Sequence, residues 1–442
     1  VVNSSIWTGF ALMRSIKLSL SSKSIMGWDA AVYLVEAYLI GGQKADQLLD
    51  QLPEKFVGER RAACQSLFLG ALRHGHRTRA ALEGLLRKKT KSRVEAILLV
   101  AGYEMFDAEA DRHPKIVHHA VERSKQLVNS FERGFLNAIL RKLPSALEQI
   151  NAQKSSAAFY SHPGWLVERW QEEFPGVCTQ LLEWNQGIPP TYLKVFNDEV
   201  QIPLGLEATE WPQFYKITRN ISWKENLHPL LKKGIAYVKD PSTRIAPALL
   251  RPRAGESVLD LCAAPGGKAY DMAYTMQGKG QIVAVDLPGK RIARLEENLS
   301  LLRSKDLKCV IVECDLLEMD TTTLKDLSLP TAYDAVMLDA PCSNTGVIQR
   351  RTDVKWRLQP KDIENCAKLQ LQLLHSAARF VKTGGRITYS TCSIEAAENQ
   401  LVVDAFLASK SGRVFNLEKA MVSLPWETNH DGAGAFLMRR KA

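Results

Sequence analysis

The sequence lacks long apolar runs and any regular spacing of its cysteines. Its longest apolar run, from Ala96 to Gly102, is far too short to cross a bilayer and is typical of a buried core helix. The eight cysteines contain no CxxC pair, so they indicate neither a disulfide framework nor a zinc site. We therefore expect a cytoplasmic protein in a reducing compartment, with no membrane partner.

Clustered metal ligands are also missing. The pairs His74/His76 and His118/His119 have no accompanying set of cysteines or carboxylates, as a metal site would require. These histidines are better explained as surface or packing residues. We expect no metal and no metal-ligating residue.

Acidic residues are fewer than basic residues. The 442 residues carry a formal net charge of +10, and 45% of them are hydrophobic, which is enough for two or three globular domains. A charge excess of this size favours a polyanionic partner such as nucleic acid over a merely basic soluble protein.

Residues 1–26 contain no acidic residue and are rich in serine and basic side chains. A transit-type leader would have this composition, and so would an upstream extension of the reading frame with Met26 as the natural start. We favour the extension, and we expect residues 1–26 to be disordered and outside the fold.

A helical period dominates the next part of the chain. From Trp28 to Leu147 apolar residues recur on single helical faces, and this predicts an all-α domain over residues 27–150. The polar, Ser/Ala-rich stretch from Asn151 to Ala158 predicts a linker.

A glycine turn begins the most informative stretch of the sequence. A short apolar run, Ser257–Leu261, predicts a buried strand, and Gly266-Gly267 would let backbone approach a ligand before a helix begins at Lys268. A second predicted strand ends at Asp286, about 20 residues after the turn, where a carboxylate can bind ribose hydroxyls. This pattern indicates an adenosine-containing cofactor.

The details of the turn favour S-adenosylmethionine over NAD. The turn is not G-x-G-x-x-G, and the sequence has no pyrophosphate cradle and no P-loop Lys-Ser/Thr pair. A third predicted strand ends at Glu313-Cys-Asp315, which could hold the adenine amino group. A dehydrogenase is therefore the least favoured interpretation.

Strands and helices alternate regularly after Gly234. This alternation predicts an α/β domain over residues 234–442, with a parallel sheet, helices on both faces and ligands beyond the carboxyl ends of the strands. The predicted strands are 257–261, 281–286, 308–313, 333–339, 386–390 and 413–417, with a closing strand over 435–439.

Three short motifs lie where predicted strands end: CAAPGGK (Cys262–Lys268), DAPCS (Asp339–Ser343) and Ser390-Thr-Cys-Ser393. Together they resemble the motifs of the RNA cytosine-5 methyltransferases, and most closely those of the RsmB/Sun/Fmu family. The resemblance covers nearly the whole chain after Gly27. It implies a NusB-like RNA-binding domain over 27–150, a linker and small α+β, RRM-like subdomain over 151–233, and a Rossmann-like methyltransferase domain over 234–442.

The chemistry of cytosine methylation gives two cysteines a role. Carbon 5 is a poor nucleophile until a thiolate adds to carbon 6. The resemblance implies that Cys392 is this nucleophile and that Cys342 helps release the product. Lys268 would favour the thiolate or orient Asp339, which would bind the base edge or the methionine end of the cofactor. The predicted cofactor-binding residues are Cys262, Ala263, Ala264, Pro265, Gly266, Gly267, Lys268, Asp286, Asp315 and Asp339.

Two regions are expected to contact RNA. The segment from Gly346 to Arg357 interleaves basic residues with Trp356, a pattern that can clamp phosphates and stack a base. Two departures from the family's usual pattern fall on strands expected to face RNA: Lys194-Val-Phe-Asn197 stands where the family has Leu-Arg-x-Asn, and Val238-Lys-Asp240, which contains Lys239, stands where it has Val-Gln-Asp.

Several interpretations of function remain open. The favoured one is S-adenosylmethionine-dependent methylation of cytosine carbon 5 in 16S ribosomal RNA by a monomeric enzyme. The same chemistry on transfer RNA has the same catalytic motifs, and only the helical domain argues for ribosomal RNA. A non-catalytic RNA-binding assembly factor is the alternative of a different class, but the intact cysteines and glycine turn count against it.

Overall fold

The structure is a computed structural model that describes residues 25–442 except Lys55, Asp107, Ser155, Asp198 and Arg303. The predicted extension over residues 1–24 lies outside the described residues. Ile25, which was expected to belong to that extension, is buried in the core of the helical domain. The described chain divides into two compact units, and each is presented by itself.

The first unit, here called the helical unit, runs to Gly187 and also includes Ile348–Leu358. Apart from a short helix at Val354–Arg357, its described α-helices are α1 Gly27–Gly41, α2 Ala45–Asp50, α3 Gly58–Arg73, α4 Gly75–Glu83, α5 Ser92–Phe106, α6 His113–Ser124, α7 Ser130–Ala152, α8 Gly164–Glu173 and α9 Cys178–Gln186. The all-α character predicted for residues 27–150 is confirmed.

Local sequence explains where the helices of this unit lie. Helix α5 carries the longest apolar run, and every residue from Ala96 to Gly102 is buried. Helix α7 begins with a reciprocal cap, because the Asn129 side chain accepts from the Glu132 backbone N–H at 2.9 Å while the Glu132 carboxylate accepts from the Asn129 N–H. Helices α3 and α5 approach closely at Gly70, where an added Cβ would lie 2.2 Å from the Tyr103 ring.

The inserted segment, Ile348–Leu358, completes the helical unit. The Lys355 ammonium donates to the Arg73 carbonyl at 2.6 Å, and the Trp356 indole N–H donates to the Leu72 carbonyl at 2.7 Å. These carbonyls end α3 and have no partner within the helix, so the two donors satisfy groups that would otherwise be orphaned. Lys355 is only 1% exposed. The prediction that Lys355 contacts RNA is therefore wrong, and Trp356 is partly buried against the core of the helical unit.

The second unit, here called the sheet unit, comprises Ile188–Val347 and Gln359–Ala442. Its small antiparallel sheet has the order β2-β3-β1-β4, formed by β1 Tyr192–Val195, β2 Leu206–Ala208, β3 Phe214–Ile217 and β4 Ala236–Val238. Because β4 pairs with β1, this sheet extends beyond the boundary at residue 233 that we expected. Helices α8 and α9, which we expected in the same subdomain, fall in the helical unit.

The large sheet has seven strands in the order β10-β11-β9-β8-β5-β6-β7. Its strands are β5 Ser257–Leu261, β6 Gly280–Asp286, β7 Leu307–Glu313, β8 Tyr333–Asp339, β9 Val381–Thr391, β10 Phe415–Ser423 and β11 Ala433–Arg440. The described helices of this unit are α10 His228–Lys232, α11 Ile245–Leu250, α12 Gly267–Thr275, α13 Lys290–Ser300, α14 Thr321–Asp326, α15 Pro360–Ala378, α16 Gln400–Ala408 and α17 Pro425–Thr428.

The expectation of a wholly parallel sheet needs correction at one edge. Strands β5 to β9 pair in parallel, but β11 is antiparallel to both β9 and β10. The connection from β10 to β11 is too short for a crossover, so the chain turns back antiparallel. The multidomain fold class, with an all-α region, a small α+β part and a Rossmann-like domain, is confirmed.

The two lysines that were expected to face RNA are buried inside the sheet unit. Lys194 on β1 and Lys239 just after β4 both donate to the Asp271 carboxylate on α12, and Lys239 also donates to the Gly267 carbonyl at 2.8 Å. Lys194 is 8% exposed. The RNA-facing prediction is wrong for both, because each lysine fixes the small sheet to the first turns of α12.

Candidate active site

The carboxyl ends of the parallel strands gather the candidate site residues. Strand β8 ends at Asp339 and β9 ends just before Cys392, and the two strands are neighbours with Asp339 opposite Ser390. Strands β5 and β6 lie next in the sheet and carry Asp260 and Asp286. One edge of the sheet therefore presents the acids and the cysteines together.

The glycine turn between β5 and α12 has a fixed backbone. Gly266 has φ of +99°, in the left-handed region that favours glycine, and a Cβ there would lie 3.1 Å from Leu295. The Asp286 carboxylate accepts from the Ala264 backbone N–H at 2.9 Å, and the Asn298 amide donates to the Pro265 carbonyl at 2.7 Å. Residues from two neighbouring elements thus hold the predicted cofactor turn, Cys262 to Lys268, in place.

Asp286 is buried at the end of β6 and keeps some acceptor capacity. Besides the Ala264 N–H it accepts from the Leu287 N–H at 2.9 Å and from the Arg291 guanidinium at 2.7 Å. A carboxylate offers about four lone-pair positions, so roughly one stays available for a hydroxyl group. This arrangement suits a ribose-binding acid.

Asp315 and Cys262 are two further predicted cofactor residues. Asp315 follows β7, and its carboxylate accepts from the Leu317 N–H at 2.9 Å in a local turn. The neighbouring Cys314 N–H donates to the Asp286 carbonyl at 3.0 Å, which places Asp315 beside the end of β6. Burial raises the pKa of Cys262 to about 12, so this thiol stays protonated.

Asp260 is a candidate functional residue that the sequence prediction missed. It is 1% exposed, and neither carboxylate oxygen has a hydrogen-bond partner among the described residues. Burial, reinforced by the negative charge of Asp339, raises the pKa of Asp260 to about 8. Asp260 therefore keeps its proton near neutral pH, and a cationic ligand group beside it would favour the ionised form, so this site can accept such a group. The signal available in the sequence was a single acid inside an apolar strand.

The two candidate cysteines lie side by side. The Cys342 and Cys392 sulfur atoms are 3.1 Å apart, and the Cys392 thiol also contacts the Asn344 side-chain oxygen at 3.3 Å. The Asn344 amide in turn donates to the Cys342 carbonyl at 2.8 Å. The contact with Cys392, then burial, then the charges of Cys392 and Glu398 raise the pKa of Cys342 well above its ordinary value.

Lys268 supplies a positive charge next to this pair. Its ammonium lies 2.5 Å from the Asp339 carboxylate, which also accepts from the Ser390 hydroxyl at 3.0 Å. Burial alone would lower the pKa of Lys268, but Asp339 and Cys392 raise it, and the net shift is upward. Lys268 therefore stays cationic within electrostatic reach of Cys392. All four predicted catalytic residues come together.

Three further residues of the site were not assigned roles from sequence. Asn344 adopts a left-handed φ of +66° between the two cysteines, and Ser390 orients Asp339. Glu398 is fully buried and accepts hydrogen bonds from Ser343 and Ser393, the residues that follow the two cysteines. Each role depends on contacts across neighbouring strands, which residue spacing alone does not reveal.

The residues at this edge fit S-adenosylmethionine. The glycine turn offers backbone without a Cβ, Asp286 has capacity for a ribose hydroxyl, and Asp260, a buried acid without a hydrogen-bond partner among the described residues, would be held ionised by a cationic group. Fold and site together define a methyltransferase that depends on S-adenosylmethionine.

Comparison with known proteins identifies the family. The family model for 16S rRNA methyltransferase RsmB/F matches residues 247–428, and the NusB family model matches residues 30–144. Ribosomal RNA small subunit methyltransferase B of Escherichia coli O17:K52:H18 is 30% identical over 397 residues, which cover 85% of this chain and 89% of that protein. The Salmonella arizonae protein of the same name is 30% identical over 395 residues, with the same coverage. The chain belongs to the RsmB/F methyltransferase family.

Solved structures support the same fold. The crystal structure of PH0851 covers 97% of this chain and 98% of its own, with a TM-score of 0.69 and 22% identity. NSun6 from Pyrococcus horikoshii, solved with SFG, covers 63% of this chain and 98% of its own, with a TM-score of 0.52 and 17% identity. The family models and the curated relatives confirm the predicted family resemblance and, with it, the predicted cofactor.

Neither a membrane-spanning helix nor a metal-binding cluster is found in the described part of the chain. None of the helices in this part is long and apolar enough to cross a membrane. The same residues contain no group of three or more histidine, cysteine or acidic side chains arranged to hold a metal ion.

Proposed function

We propose that the protein methylates carbon 5 of a specific cytosine in small-subunit ribosomal RNA through a covalent adduct with Cys392. The observation that carries this proposal is the pair of sulfur atoms 3.1 Å apart, next to the Lys268 ammonium at the cofactor edge of the sheet. A methyltransferase acting on oxygen or on an exocyclic nitrogen has no use for two adjacent thiols.

The reaction requires a nucleophile because carbon 5 of cytosine is unreactive towards a methyl donor. Addition of the Cys392 thiolate to carbon 6 forms a carbon–sulfur bond and turns carbon 5 into an enamine-like nucleophile. S-adenosylmethionine, when bound, supplies the electrophilic methyl group. Solvent water then accepts the carbon 5 proton, the electron pair of that bond forms the carbon 5–carbon 6 double bond, and the carbon 6–sulfur bond breaks with release of the Cys392 thiolate.

The surrounding side chains suit this sequence of events. The Lys268 cation favours the thiolate form of Cys392, since opposite charges stabilise each other in a buried site. Asp339 is held by Lys268 and Ser390, and its carboxylate is a suitable acceptor for the amino group at the base edge. Cys342 lies beside the bond that must break, and we assign it to product release.

The ribosomal substrate rests on two observations of similarity. The relatives that share 30% identity are named ribosomal RNA small subunit methyltransferase B, and the helical region matches the NusB family model. The catalytic motifs do not distinguish ribosomal from transfer RNA. A ribosomal substrate would place the protein in the cytoplasm.

A direct comparison of substrates tests the proposal. The purified protein is incubated with labelled S-adenosylmethionine and either small-subunit ribosomal RNA or total transfer RNA, and the nucleosides are separated after digestion. We expect labelled 5-methylcytidine from the ribosomal RNA and none with the Cys392→Ala variant. Label in transfer RNA alone would refute the substrate, and label at another atom would refute the chemistry.

A further inference from the structure

A single buried carboxylate links the two cysteine loops. Glu398 is 0% exposed and accepts hydrogen bonds from the Ser343 backbone N–H at 2.9 Å and from the Ser343 hydroxyl. It also accepts from the Ser393 hydroxyl at 2.7 Å and from the Gln370 amide at 2.8 Å. Ser343 directly follows Cys342, and Ser393 directly follows Cys392. One side chain therefore holds the residue after each cysteine.

Further hydrogen bonds close the same structure. The Thr345 and Ser393 hydroxyls are 3.0 Å apart, and the Gly346 N–H donates to the Cys392 carbonyl at 3.1 Å. The Tyr389 hydroxyl donates to the Glu398 carbonyl at 2.5 Å. Removing the carboxylate would leave the Ser343 N–H and the Gln370 amide without this acceptor in a buried space. The loops would then lose the contact that sets their separation.

We propose that Glu398 is a positioning residue that holds the two cysteines in register and keeps the proton on Cys342, so that Cys392 is the thiol that ionises. The assignment of Cys392 as nucleophile rests on the proposed function, whereas the effect of Glu398 on the two thiols does not.

The electrostatic part of the proposal depends on which charged side chain acts on which cysteine sulfur. Burial raises the pKa of Glu398, and the hydrogen bonds from Ser343, Ser393 and Gln370 oppose that rise because they stabilise the ionised carboxylate. Its negative charge, with the Cys392 contact and burial, raises the pKa of Cys342. Burial and the Glu398 charge also raise the pKa of the nearby Tyr389, which therefore stays neutral. Cys366 lies close to Tyr389. The Lys268 cation acts on Cys392.

Alkylation of the two thiols at a series of pH values tests the inference without RNA or cofactor. Iodoacetamide is added to the folded protein, and mass spectrometry of the two peptides gives a rate for each cysteine. In the wild type, Cys392 should react at lower pH than Cys342. In Glu398→Gln the Cys342 profile should move down by about one pH unit, which is roughly tenfold faster alkylation at a fixed pH below its pKa. The Cys392 profile should move much less.

Companion variants separate charge from position. Glu398→Asp keeps the charge but withdraws it by one methylene, so kcat for RNA methylation should fall about tenfold, with an unchanged KM for RNA and a Cys342 profile close to the wild type. Glu364→Gln, an exposed carboxylate on α15, is the matched control and should change nothing. If Glu398→Gln does not fold, Gln370→Leu takes its place, because it removes one donor to the carboxylate. This variant should lower kcat and bring the alkylation pH profiles of Cys342 and Cys392 closer together.

Two outcomes would overturn the inference. One is an unchanged alkylation profile of Cys342 in folded Glu398→Gln. If Gln370→Leu is used instead, the corresponding outcome is a wild-type kcat together with wild-type alkylation profiles of both cysteines. The other is identical profiles for the two cysteines in the wild type. Because the alkylation assay contains neither RNA nor cofactor, failure here is distinguishable from failure of the proposed methylation.

Discussion

The buried carboxylate of Asp260 makes a quantitative prediction about stability and pH. Its pKa rises from the ordinary value of 3.8 to about 8 in the folded chain. Between these values the folded state keeps the proton while the unfolded state loses it. Stability from this group is therefore complete below about pH 4, declines as pH rises towards 8, and is flat above. The asparagine of Asp260→Asn cannot ionise, so this decline should be absent.

The size of the effect follows from proton linkage. Each pH unit between the two pKa values costs about 1.4 kcal/mol, so from pH 5 to pH 7 the wild type should lose on the order of 3 kcal/mol relative to Asp260→Asn. Changes shared by both proteins cancel in this difference.

Urea unfolding is monitored by hydrogen exchange, and the exchange of peptides from strands β5 to β8 reports on the sheet unit by itself. The exposed Asp306→Asn is the matched control and should track the wild type at both pH values. The reasoning would be refuted if the free energy of unfolding of Asp260→Asn minus that of the wild type were equal at pH 5 and pH 7, or smaller at pH 7 than at pH 5.

Two further variants test the cofactor site and the inserted segment. Asp286→Ala should weaken S-adenosylmethionine binding by about 1.5–3 kcal/mol for each charge-assisted hydrogen bond lost, and unchanged affinity by calorimetry would show that Asp286 does not bind the ribose. Trp356→Ala should destabilise the helical unit by about 3 kcal/mol, because it leaves a cavity and removes the donor to the Leu72 carbonyl. Urea unfolding, monitored by hydrogen exchange of peptides from α3 and α5, measures the free energy of unfolding of the helical unit, with Arg351→Ala at an exposed position as the control. Equal stability of the Trp356→Ala and Arg351→Ala variants would contradict the packing role.

The parts of the fold that the sequence predicted are those with local signals. Strands β5, β6, β7 and β8 lie within one residue of their predicted bounds, because apolar runs ending in an acid are sufficient to mark buried parallel strands. Strand β9 begins five residues earlier than predicted. There Gly384-Gly385, which resembles a helix end, lies within the strand. Element type was therefore more predictable than element ends.

The contacts that were not predicted are distant in sequence. Basic residues interleaved with a tryptophan read as an RNA surface, yet Lys355 donates to a carbonyl 282 residues away. Lys194 was likewise placed on an exposed strand, whereas its partner Asp271 lies on α12. A positive charge carries no information about whether its counter-charge is RNA or a buried carboxylate. Only the folded structure supplies the partner.

The candidate site likewise contains residues that were predicted from the sequence and residues that were not. The cysteines and Lys268 were found because their motifs lie at strand ends, which meet at one edge of a parallel sheet. No role was assigned to Asp260 or Glu398 from the sequence. Their importance comes from burial and from the partners that surround or fail to surround them, and these are properties of the assembled sheet.

The covalent mechanism is tested most directly by trapping the protein–RNA adduct. Wild type, Cys342→Ala, Cys392→Ala and a control, Cys309→Ala on β7, are each incubated with labelled RNA and S-adenosylmethionine and separated on a denaturing gel. If Cys392 attacks and Cys342 assists release, Cys342→Ala should accumulate an SDS-resistant species with the methyl group already transferred. Cys392→Ala should give neither adduct nor methylation, and Cys309→Ala should match the wild type. Adduct from Cys392→Ala but not from Cys342→Ala, or no adduct from either, would contradict the assignment.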